Sequence, residues 1–68
     1  MKKILEEQSN TDSPIFIAQH DKKRDLTRII IDGWGIDKDD LQYSQFTFQY
    51  EELEDFFFFM EKVYNETR

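Results

Sequence analysis

Apolar residues along this 68-residue chain fall into two patterns. Up to about residue 50 they come in short runs with a period near two. Beyond that they recur at helical spacing. Residues 15–19 (IFIAQ) read as a short strand, with Pro14 tolerable at its first position. Residues 20–25 (HDKKRD) form a charged turn. Residues 26–32 (LTRIIID), rich in β-branched side chains, are the clearest strand. The stretch GWGIDKDDLQ reads either as a long loop or as the tip of one hairpin made by residues 26–36 and 41–50. Centring the turn on Lys38 and Asp39 makes Ile29 face Phe48 and Ile31 face Phe46 on one side. On the other side Trp34 faces Tyr43 and Ile36 faces Leu41. Gly33 and Gly35 sit where the apolar side switches, as at a bulge or a strong twist.

Residues 51–66 (EELEDFFFFMEKVYNE) predict a helix. Glu51, Glu52, Glu54 and Asp55 suit the positive end of its dipole, although no strong N-cap residue precedes them. Leu53, Phe56, Phe57, Met60, Val63 and Tyr64 make one apolar stripe. Phe59 lies at its edge, and Phe58 falls on the opposite, polar face. Leaving Phe58 in water forgoes roughly 1.5–3 kcal/mol of burial. It is therefore idle, covered by Ile4 and Leu5 folding across it, or held against another chain. The last is the expectation carried forward.

Residues 1–13 read as a polar N-terminal segment, with one helical turn at Ile4 and Leu5 and a loop over 9–13. The expected fold is a single α+β domain over 1–68: a small antiparallel three-stranded β-meander (14–50) with the C-terminal α-helix (51–66) packed on one face. Its expected core is Ile15, Ile17, Ile29, Ile31, Phe46, Phe48, Leu53, Phe56, Phe57 and Met60.

Composition sharpens this picture. Charged residues make up 35% of the chain and aromatics 16%, whereas a disordered chain would pair high charge with few aromatics. A chain of this length buries only about 60% of its unfolded surface, and there is no cysteine to staple it. Efficient packing, oligomerisation or a partner must supply the rest. The absence of cysteine, of an apolar leader and of any apolar run near the ~20 residues of a membrane span fits a soluble, cytoplasmic protein.

Catalytic chemistry finds few candidates. His20, the only histidine, adjoins Asp21 and precedes Asp25 by five residues, but no obvious nucleophile accompanies it. Asp32, Asp37, Asp39 and Asp40 lack the spacing of a calcium loop. Two glycines do not make a phosphate cradle. The expectation is no enzyme, no metal and no cofactor. Lys22, Lys23, Arg24 and Arg28 can touch phosphate or an acidic protein, but a chain of net charge −6 is repelled by nucleic acid.

Charge is segregated. Residues 1–31 carry six bases and five acids, a net of +1, whereas residues 32–68 carry three bases and ten acids, a net of −7. Asp37, Asp39 and Asp40 crown the hairpin tip, and Glu51, Glu54 and Asp55 line the helix start. Such carboxylates can imitate nucleic-acid phosphates and occupy a basic groove, with Phe58, Trp34 or Tyr43 as anchors. The stretch FTFQYEELEDFFFFMEKVY, within residues 26–66, resembles the generic layout of small phage or mobile-element proteins, some of them DNA-mimic inhibitors, and contains no diagnostic motif. The expected function is an acidic, non-enzymatic protein-binding module, a groove-filling inhibitor of a larger protein with a basic surface. The alternative is a small homodimeric structural or regulatory protein whose aromatics serve only self-association.

Overall fold

A computed structural model describes residues 1–11 and 13–68; Asp12, read above as part of a polar loop, lies outside the described residues. Four strands, β1 (Lys2–Gln8), β2 (Ile15–Asp21), β3 (Leu26–Trp34) and β4 (Gln42–Gln49), form one antiparallel sheet in the order β1-β2-β3-β4. Helix α1 (Tyr50–Thr67) follows β4 directly. The class is α+β, as expected, but the meander has four strands rather than three.

The extra strand is β1, at the place where a helical turn and a polar segment were expected. Its register with β2 slips between Lys3 and Leu5, so Ile4 is the bulged residue. A charged run such as KKILEEQ shows no clean alternation once one residue is inserted, because a bulge shifts every later side chain by one place.

Local chemistry closes the turns after β2 and β3. After β2, the Asp21 carboxylate accepts the backbone N–H groups of Lys23 (3.1 Å) and Arg24 (3.3 Å). Asp25 then takes φ 51°, a left-handed conformation that Asp tolerates better than most residues. After β3, Asp37 accepts the Asp39 N–H on its side chain (3.1 Å) and the Asp40 N–H on its carbonyl (3.1 Å). The helix begins where the Gln49 N–H donates to Glu52 Oε1 at 2.8 Å, the backward arm of a capping box. That interaction supplies the start signal missing from the residue-by-residue reading.

Register decides which residues share a face. Ile29 pairs with Phe46 and Ile31 with Ser44. The hairpin is thus displaced by two residues from the expected Ile29–Phe48 and Ile31–Phe46 pairs. The turn falls at Lys38 and Asp39 as expected, but the β3 side carries one extra residue between Trp34 and Asp37 and another at Gly33. A slip of two preserves the face, so Ile29, Ile31, Phe46 and Phe48 still lie together. Between Asp32 and Trp34 the register shifts by one at Gly33, which has φ +87°. Trp34 consequently pairs with Gln42, and Tyr43 with Asp32.

Strand β2 sits in the opposite phase from the one expected. Ala18 faces Ile29, Phe16 faces Ile31, and Ile17 faces Ile30. One sheet face, here called the front, therefore carries Leu5, Phe16, Ala18, Ile29, Ile31, Phe46 and Phe48. The back carries Ile15, Ile17, Ile30 and Tyr43. Three consecutive isoleucines in β3 put apolar surface on both faces, so the alternation alone could not set the phase of β2.

The core is correspondingly slight. Ile30, left out of the expected core, is the one buried apolar side chain among the described residues, at 6% exposure. Phe46, Phe57 and Met60, expected inside, are exposed. Helix α1 packs only on β3 and β4. Its attachment is the stack of Phe56 on Phe48, ring centroids 5.0 Å apart, together with the half-buried Leu53.

Candidate binding surface

Among the described residues, besides Ile36 and Leu41 exposed in the loop after β3, two larger apolar surfaces lie uncovered. The first is the front of the sheet over β1 and β2, where Leu5, Phe16, Ala18 and Ile29 line an open depression with Glu7, opposite Phe16, as its charged member. Leu5 is 58% exposed and Phe16 44%. Helix α1 does not reach these strands. The second is the helix from Phe57 onward. Phe57, Phe59, Met60, Val63 and Tyr64 are all exposed, four of them on the stripe that should face a core.

The dimensions agree with a fold left open. The Cα radius of gyration is 13.3 Å, against about 11 Å for a compact domain of this length. A compact monomer of 8.3 kDa exposes about 4,600 Å². This chain exposes 6097 Å², an excess of roughly 1,500 Å².

The residues singled out in the sequence are dispersed. Phe58 is 50% exposed and meets the edge of Phe57 with ring centroids 5.5 Å apart. Ile4 and Leu5 do not cover it, because β1 makes no contact with α1. Trp34 and Tyr43 are not a pair. The Trp34 indole N–H donates to Ser44 Oγ at 2.7 Å on the front side, whereas Tyr43 lies on the back, its hydroxyl donating to Gln45 Oε1 at 3.2 Å. The bulge at Gly33 separates them.

The acids are exposed and form two groups. Asp37, Asp39 and Asp40 lie in the loop after β3, and Glu51, Glu54 and Asp55 on the first turns of α1. Strand β4 runs between the groups, and its eight residues span about 27 Å. A basic group gathers at one end of the sheet, where Lys2, His20, Lys22 and Lys23 line a shared depression. His20 Nε2 lies 3.1 Å from Asp25 Oδ1 across the β2–β3 turn.

Leu5, Phe16 and Ala18 are the surface residues that sequence reasoning missed. Their signal was weak: Phe16 is flanked by two isoleucines on the other face, and Leu5 follows a bulge. Among the described residues no group of three metal-ligating side chains converges, and no helix is long and apolar enough to cross a membrane. Comparison of the chain with protein-family models, with curated proteins and with solved structures finds no match.

Proposed function

We propose that this chain is a non-enzymatic protein-binding module that completes its hydrophobic core against another polypeptide. The observation that carries this reading is the open front face of β1 and β2, from which the chain's own helix is absent. Stable, solvent-exposed apolar patches of this kind mark interaction sites. The excess surface of roughly 1,500 Å² per chain is what one member of an obligate complex covers, since such interfaces total about 2,000–5,000 Å². The exposed acids then guide the encounter toward a basic surface and set its rate more than its strength. In this reading the −7 half of the chain steers and the apolar faces bind.

The experiment compares wild type and Phe16→Lys by native mass and by urea unfolding. Support is a wild type that runs as a complex, with Phe16→Lys running as a single chain of unchanged β-content. The reading fails if the wild type is a single chain and Phe16→Lys loses stability on the scale of a core substitution. The front face would then be sealed inside the monomer.

A further inference from the structure

Resting on that reading, we infer that the occupant of the front face is a second copy of this chain, which lays the C-terminal half of its helix α1 over the other's β1 and β2. The chain carries both halves of the contact and joins them nowhere within itself. Its sheet lacks a cover over Leu5, Phe16 and Ala18, and its helix lacks a floor under Met60, Val63 and Tyr64. One reciprocal exchange about a two-fold axis satisfies both at once, with each chain giving a helix and receiving one.

Size supports the match. Residues 57–67 of the helix extend about 16 Å, which fits along the uncovered strands β1 and β2, seven residues each and about 23 Å long. Two copies losing their excess surface would bury roughly 3,000 Å² in total, within the obligate-dimer range. Charge does not oppose it: β1 sets Lys2 and Lys3 against Glu6 and Glu7, and residues 57–67 set Lys62 against Glu61 and Glu66. Neither surface therefore carries a strong field of one sign.

The chain has no cysteine, so single thiols report contacts cleanly. Ala18→Cys and Met60→Cys are made separately, the two proteins are mixed by unfolding and refolding together, and a short bis-maleimide is added. The expected product is a covalent dimer joining the two different variants, several-fold above either variant joined to itself. Leu5→Cys in place of Ala18→Cys gives the same result, at an exposed position where little packing is removed. A dimer of Met60→Cys alone as the main product would mean that helices pair with each other, overturning the exchange but not the binding reading. Intrachain linkage in the Ala18→Cys, Met60→Cys double variant would fold the helix onto its own sheet and overturn both. A single chain in solution with no linkage of any kind would assign the face to a foreign protein and overturn this inference alone.

Discussion

Phe56 of α1 lies nearly parallel to Phe48 of β4, ring centroids 5.0 Å apart and planes 19° off parallel. Phe46 continues the aromatic row at 6.4 Å from Phe48. This stack fastens the second turn of the helix to the sheet, and among the described residues no comparable contact fastens its later turns. Phe56→Ala is therefore expected to lower the unfolding free energy by about 2 kcal/mol, below the 3–5 kcal/mol of a fully buried Phe because Phe56 is only half-buried. Phe58→Ser should change it by no more than about 0.5 kcal/mol. Urea unfolding at one fixed protein concentration checks both. Equal losses would mean that Phe58 contributes to the chain's own packing.

The two glycines test the hairpin in different ways. A Cβ at Gly35 would lie 2.7 Å from the Asp40 carbonyl oxygen, a backbone atom that cannot yield without opening the loop. Gly35→Ala should cost about 1–3 kcal/mol. At Gly33 the obstacle is conformational. With φ +87° the position suits no other residue well, and a Cβ would come within 3.2 Å of Ser13 Oγ, whose hydroxyl donates to the Gly33 carbonyl. Gly33→Ala should cost about 1–2 kcal/mol. Thermal unfolding of each variant provides the measurement, and an unchanged midpoint for Gly35→Ala would contradict the close approach.

Both glycines were legible as the point where the hairpin changes character, and the helix was legible to within one residue of its start. Those features rest on local chemistry: β-branching, turn residues and a 3.6-residue period. What stayed hidden depends on pairing between distant strands. The phase of β2 is fixed by the turn at Asp21 and Asp25, which makes Ile17 oppose Ile30 rather than Ile29. Because residues 29–31 are all isoleucine, either phase buries something apolar. The open surface was hidden for a further reason. Periodicity places Met60 and Val63 on an apolar stripe but cannot show that the chain's own sheet leaves that stripe uncovered.

Helix initiation makes a separate prediction. The Gln49 backbone N–H is held by Glu52 Oε1 at 2.8 Å. Glu52→Ala removes that acceptor and should cost about 1 kcal/mol, whereas Glu52→Gln keeps an acceptor and should cost clearly less. Helical circular dichroism and the unfolding midpoint separate the two. Identical behaviour would show that the charge near the helix N-terminus matters and the hydrogen bond does not.

Arg28 offers a counterintuitive test on the back face. Among the described residues its Nε is buried without a partner, and the side-chain hydrogen bond from Nη1 to Gln19 Oε1 is long at 3.4 Å. Arg28→Met keeps the apolar stem over the sheet and removes the unpaired donor. Stability is expected to hold or rise by up to about 1 kcal/mol. A loss greater than that in urea unfolding would mean that the guanidinium makes a stronger contact than its geometry implies.

Association itself should respond to the helix stripe and not to the acids. Val63→Glu places a charge in the middle of the surface offered to the second chain. Unpaired charge is costly to desolvate, so the variant should sediment as a single chain at concentrations where wild type is dimeric. The combined change Glu51→Gln, Glu54→Gln and Asp55→Asn removes three exposed charges that solvent and salt already screen. It should leave the mass unchanged and shift the dissociation constant by less than about fivefold, corresponding to the 0–1 kcal/mol typical of surface pairs. Phe58→Ser should resemble the acid variant, since Phe58 points away from the stripe. The reverse pattern, with Val63→Glu neutral and the acid variant dissociated, would place binding on the acidic surface. The groove-filling role would then regain its footing, and the open sheet face would need another explanation.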